Sequence, residues 1–134
     1  MSHHYQLRVY YQDTDAGGIV YHANYLAFAE RARTEFLRAQ GIPHADMVAQ
    51  HGVQFVVRRA VLDYLRPARL DEEITITTRV KNVGGASATL RQDFARDSDS
   101  LAVLEVRLGC VRVADGHAAR LPEFWRNRML AALG

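Results

Sequence analysis

The sequence predicts an α+β fold: one long central helix wrapped by a curved antiparallel sheet of about five strands, with a short C-terminal helix. Three observations carry this expectation. A long amphipathic helix falls early, over about residues 24–40. Long β-patterned runs follow it, joined by tight turns, and consecutive strands of this kind pair antiparallel. The helix is apolar over about half its circumference at ~100° per residue, which calls for a sheet that curls around it.

The elements follow in chain order. Leu7-Arg8-Val9-Tyr10-Tyr11 alternates as a strand, with Leu7, Val9 and Tyr11 on one face. In the helix, Tyr25, Ala29, Ala32, Phe36 and Ala39 recur at helical spacing and form one stripe, bordered by Phe28 on one side and by Leu26 and Leu37 on the other. Arg33 falls inside this arc and is expected to snorkel or to pair with Glu30. Arg31, Glu35 and Arg38 form the polar face. Asn24 is the expected N-cap. Gly41 followed by Pro43 is the stop. A turn or short helix occupies Pro43–His51, and Val53–Leu65 is a long β-branched run. Glu73–Val83 alternates, Gly84-Gly85 turns, and Ala86–Arg96 alternates again. A polar turn at residues 96–100 leads into Leu101–Val113, and Pro122 opens a helix over Glu123–Leu133. Val53–Leu65 and Leu101–Val113 carry apolar residues on both faces, more than one helix covers, so a second subunit is expected against them.

Composition bounds the function. At 134 residues, 49% hydrophobic and 24% charged, residues 1–134 are expected to form one folded domain rather than a disordered chain. The lone Cys110 sits mid-strand, which rules out an intrachain disulfide and a multi-cysteine metal site. No apolar run approaches the ~20 residues of a membrane span, and Met1-Ser2-His3-His4 is not a secretory signal. The expected location is therefore cytoplasmic. The net charge of +2 rests on scattered arginines, with Lys81 the one lysine, so no nucleic-acid stripe exists. The remaining histidines lack metal-ligand spacing, so neither a metal nor another cofactor is expected.

The chemistry-bearing stretch joins the first strand to the helix: Tyr10-Tyr11-Gln12-Asp13-Thr14-Asp15-Ala16-Gly17-Gly18-Ile19-Val20-Tyr21-His22-Ala23-Asn24-Tyr25. Asp13-Thr14-Asp15 alone would read as a capped turn. The spacing Asp13-x-Asp15-x-x-Gly18 also mimics the opening of a calcium loop. Gly17 has no side chain to ligate with, however, and Asn24 stands where that loop ends in Glu.

This stretch resembles the signature of the 4-hydroxybenzoyl-CoA thioesterase family, which has the hotdog fold, and most closely its acyl-CoA thioesterase branch associated with the Tol–Pal system. The resemblance continues through Glu30-Arg31-Ala32-Arg33-Thr34-Glu35, Phe55-Val56-Val57-Arg58-Arg59 and Pro67-Ala68-Arg69-Leu70-Asp71, and covers essentially the whole chain. It implies hydrolysis of an acyl-CoA without a metal, by a homodimer or homotetramer with active sites at the subunit interface. It places the catalytic carboxylate on Asp15 and the oxyanion-donating backbone N–H at His22. Gly17, Gly18, Val20 and Tyr21 would line the thioester. Benzoyl-specific members have Pro after the catalytic Asp where this chain has Ala16, so an aromatic preference does not transfer.

Residue chemistry agrees with that implication. A thiol leaves readily, with a pKa of ~8.5 against ~15.7 for water, so no strong general acid is required. Asp15 can attack the carbonyl or activate water, and residue types do not separate the two. A helix starting near His22 supplies free N–H groups and a positive dipole end. Glu30 on the helix is the rival carboxylate. Phe55 and Val57 are candidates for the acyl pocket, and Arg58 and Arg59 for the CoA phosphates. Two other functions compete. A hotdog dehydratase would need an HFPxxPxxPG-like loop, absent here; a non-catalytic acyl-thioester or partner-binding module is the alternative.

Overall fold

The computed structural model describes residues 2–134. In chain order the elements are β1 (Ser2–Arg8), one 3₁₀ turn (Tyr11–Asp13), α1 (Asn24–Ala39), α2 (His44–His51), β2 (Val53–Tyr64), β3 (Glu73–Val83), β4 (Ser87–Arg96), β5 (Asp99–Arg112) and α3 (Glu123–Ala131). Among the described residues the strands form one antiparallel sheet in the order β1-β3-β4-β5-β2. A long helix on one face of a five-stranded sheet is the α+β hotdog arrangement expected from the sequence.

The alternation of β3 and β4 sorts their side chains. Ile74, Ile76, Val80, Ala88, Leu90 and Phe94 are buried inward, while Arg79, Lys81 and Arg91 face solvent. Against this inner face α1 buries Tyr25, Phe28, Ala29, Ala32, Phe36 and Leu37. Its C-terminus is a Schellman motif: Ile42 N–H donates to the Leu37 carbonyl at 2.8 Å and Gly41 N–H to Arg38 at 3.0 Å. Gly41 takes φ +76°, so the glycine is required there. Phe36 is fully buried in this interface, toward the C-terminal end of the helix. Phe36→Ala is expected to cost about 3–5 kcal/mol, read as a lower denaturant midpoint at constant m-value.

Several local expectations are corrected. Tyr11 is not on the strand face; it lies in the 3₁₀ turn and is 82% exposed. Ala23, not Asn24, holds the N-cap position of α1. The Asn24 side chain instead donates to the Asp13 carbonyl at 2.9 Å, which ties the helix start to the preceding turn. Ala39 is exposed, although Phe36 and Leu37 in the same turn are buried. Arg33 does not snorkel: it is 8% exposed and donates to Gln92 Oε1 at 3.0 Å. At the C-terminal end of β5, Val111 bridges to Ala118 along the strand edge, and the Arg58 side chain lies across Gly109. On β2 the expectation of uncovered apolar surface holds, with Val56, Val57, Val61 and Tyr64 exposed. Among the described residues no helix is long and apolar enough to cross a membrane.

Candidate active site

Asp15 opens a tight hairpin. Thr14 bridges to Val20, Asp15 N–H donates to Ile19 O at 2.9 Å, and Gly18 N–H returns to Asp15 O at 3.0 Å. Gly18 takes φ +76°, the left-handed residue that lets so short a loop close. Gly17 N–H donates to Asp15 Oδ1 at 2.8 Å, and a Cβ on Gly17 would press on that oxygen at 3.2 Å. The two glycines therefore do different work. One closes the turn, and the other lets the carboxylate fold back over the backbone. Asp15 is exposed, with Oδ2 turned to no protein donor among the described residues.

The hairpin leads directly into α1. Tyr21 N–H donates to Asp13 O and Asn24 N–H to Tyr21 O, both at 2.9 Å. Between them, the His22 N–H meets no acceptor among the described residues. His22 immediately precedes the Ala23 N-cap, so this free donor lies beside the positive end of the helix dipole. The His22 carbonyl is held by the Tyr64 hydroxyl, which donates at 2.8 Å from the C-terminal end of β2. The His22 ring is exposed and lies between Tyr21 and Tyr64, with ring centroids 4.5 and 6.4 Å away.

The segment after β2 braces this arrangement. Val20 N–H donates to Ala68 O at 2.8 Å, Ala68 N–H to the Tyr25 hydroxyl at 3.3 Å, and Ile19 bridges to Arg69. Arg96 holds the segment's end through Glu72 at 2.9 Å. The result is a mostly apolar cavity of about 370 Å³ lined by Ile19, Val20, His22, Tyr25, Tyr64 and Pro67, among others. That falls in the volume range of small-molecule sites. Burial pushes the Tyr25 hydroxyl up from its ordinary pKa, so it stays protonated.

The residues singled out in the sequence fall in three places. Asp15, Gly17, Gly18, Val20, Tyr21 and His22 share the hairpin and helix start. Phe55 and Val57 lie near the other end of β2, on a cavity beside the middle of α1. Arg58 and Arg59 line a third cavity, of about 360 Å³, together with Ser87 and Arg107. None of these three arginines has an ion-pair partner among the described residues. Within those residues no three His, Cys, Asp or Glu side chains converge as metal ligands would.

The sequence profile of the thioesterase-like superfamily matches residues 9–132. The chain belongs to this superfamily. It is 44% identical over 106 residues to an acyl-CoA thioester hydrolase, YbgC, of Escherichia coli, covering 78% of each chain. It is 41% identical over 107 residues to an acyl-CoA thioesterase, YbgC, of Haemophilus influenzae, covering 80% of this chain and 79% of that one. The crystal structure of a probable thioesterase from Bartonella henselae superposes with a TM-score of 0.87 at 36% identity, over 91% of this chain and all of that one.

For this thioesterase-like chain, the residues missed by sequence reading are Tyr64, which fixes the helix start, and the Tyr25 hydroxyl with Pro67 on the cavity wall. Tyr25 stands out only as part of an apolar helical stripe, and Tyr64 only as a strand aromatic. Their hydroxyl partners come from segments distant in sequence.

Proposed function

We propose that the protein hydrolyses the thioester of an acyl-CoA to free acid and thiol, with Asp15 as nucleophile or general base and the His22 N–H as oxyanion donor. The single observation that carries this reading is the juxtaposition of an exposed carboxylate and an unoccupied helix-start N–H on one hairpin, beside an apolar cavity. The thioester carbonyl needs both groups and little else. The carboxylate attacks or draws a proton from water. The N–H and the helix dipole stabilise the oxygen as it gains charge. The names of the E. coli and H. influenzae relatives support the same substrate class. Gly17 and Gly18 leave the backbone open to the substrate, with Val20 and Tyr21 beside it. Arg58 and Arg59, joined by Arg107 and Ser87, form a cationic pocket suited to the CoA phosphates.

The working unit is proposed to be a dimer formed through β2. That strand lies at one edge of the sheet, is 12 residues long, and exposes Val56, Val57 and Val61. A long unpaired apolar edge invites another strand. A second copy pairing antiparallel about a two-fold axis satisfies both edges at once. The other edge, β1, is 7 residues long and turns Gln6 and Arg8 outward, so it offers less.

The test is thiol release from a panel of acyl-CoAs, with solution mass measured by light scattering. Acyl-dependent turnover by a species of twice the chain mass or a multiple of it is the expected result. Absence of turnover on every thioester would favour an acyl-thioester binding module, and an active monomer would remove the dimer.

A further inference from the structure

We infer that the cavity beside the middle of α1 receives the far end of the acyl group, and that Arg33 selects acyl groups ending in a carboxylate. The inference rests on the thioesterase reading and names its substrate class.

Arg33 is a buried cation with no carboxylate in direct contact among the described residues. It is 8% exposed and sits on the core face of α1. A guanidinium carries five N–H donors. One of them reaches Gln92 Oε1 at 3.0 Å, and Gln92 is neutral. Gln92 is itself fixed, because its amide N–H groups donate to Ala29 O at 2.9 Å and to Thr78 Oγ1 at 3.1 Å. Among the described residues no carboxylate lies within ion-pair distance of Arg33. Glu30, one turn earlier, is exposed and acts on Arg33 only from a distance. Burial accordingly pulls the guanidinium below its ordinary pKa. Buried charges in proteins are normally paired, so this one is short of an anion.

The cavity that Arg33 lines shows what kind of anion fits. It holds about 400 Å³, and Leu37, Phe55, Val57 and Leu108 supply its apolar walls. The exposed Glu30, Thr34 and His44 complete the lining. Water screens the exposed Glu30 more than the buried Arg33, so at depth the cation governs. An apolar passage with one guanidinium fits an alkyl chain tipped by one planar carboxylate, which accepts two parallel N–H bonds. The CoA phosphates suit the open trio of Arg58, Arg59 and Arg107 instead.

The dimer brings this cavity to the chemistry. Within one chain, Tyr64 at the His22 carbonyl and Phe55 at the cavity stand nine residue steps apart on β2, about 30 Å of extended strand. No short acyl group spans that. Antiparallel pairing of two copies through the middle of β2 sets the C-terminal end of one strand against the N-terminal end of the other. The Asp15 hairpin of one protomer then faces the Arg33 cavity of its partner, both on the helix side of the joined sheet.

The experiment compares thioesters matched in length, one ending in methyl and the other in carboxylate: butyryl- with succinyl-CoA, pentanoyl- with glutaryl-CoA, hexanoyl- with adipoyl-CoA. The wild type should favour the carboxylate-ended member of at least one pair by about tenfold or more in kcat/KM, the value of one charge-assisted hydrogen bond. Arg33→Gln should bring that ratio to about one, and Arg33→Lys, which keeps the charge without the fork, to an intermediate value. A preference for methyl ends at every length, or a carboxylate preference that Arg33→Gln retains, overturns the inference. Should Arg33→Gln fail to fold, titration calorimetry of the wild type with monomethyl glutarate and methyl pentanoate, whose ester ends stand in for the thioester, decides without a variant: monomethyl glutarate must bind more tightly. If the protein hydrolyses methyl-ended thioesters and does not discriminate, the Arg33 site falls and the thioesterase reading stands. If it hydrolyses nothing yet binds monomethyl glutarate more tightly than methyl pentanoate, the reverse holds.

Discussion

Asp15→Asn is expected to lower kcat/KM for acyl-CoA hydrolysis by about 10²–10⁴-fold, the usual contribution of a positioned acid–base group. The substitution is close to isosteric. The Asn side-chain oxygen can still accept the Gly17 N–H that now bonds Asp15 Oδ1 at 2.8 Å. Asp15 makes no ion pair among the described residues, so removing its charge leaves no partner stranded. Melting temperature and far-UV circular dichroism should therefore match the wild type while thiol release collapses. An amide neither attacks the carbonyl nor takes a proton from water, so the loss follows by either route. Wild-type rates in the variant would remove Asp15 from the reaction.

The second large effect separates a side chain from a backbone. His22→Pro deletes the N–H assigned to the oxyanion and should lower kcat by about 10²–10³-fold, as loss of one such donor does. His22→Ala keeps that N–H and should cost less than about tenfold by the same comparison. Residue 22 precedes the N-cap and its N–H makes no hydrogen bond among the described residues, so proline there removes none, and the Tyr64 hydroxyl can still reach the residue-22 carbonyl. Comparable losses in the two variants would assign the work to the imidazole instead.

The legible parts of this protein are those in which local chemistry suffices. The Gly41–Pro43 stop became a Schellman motif because only the residues beside it are involved. A turn at Asp13-Thr14-Asp15 was legible for the same reason, whereas the separate tasks of Gly17 and Gly18 show only in the hairpin's geometry. What the sequence hid depends on partners far along the chain. Gln92 looks like one more residue in an alternating strand, yet it is fully buried and joins Ala29, Arg33 and Thr78. Arg33 inside an apolar arc suggests a snorkelling stem, because nothing nearby reveals that Gln92 will meet it. Tyr64 is indistinguishable from a packing aromatic until the helix start docks on its hydroxyl. The pairing of Ala118 with β5 was missed because it is made by the segment following a turn, whose path no periodicity records.

Gly109 has a consequence for how this sequence can drift. Its backbone angle is ordinary, so any residue could adopt it, but a Cβ there would collide with the stem of Arg58. The two positions are therefore not free to vary independently. A larger residue at 109 leaves the rest of the site undisturbed only where position 58 has already shortened. In the opposite order, the change lifts Arg58 from its seat beside Arg59 and Arg107. The glycine answers to its neighbour, and substitutions at 58 and 109 should couple rather than add.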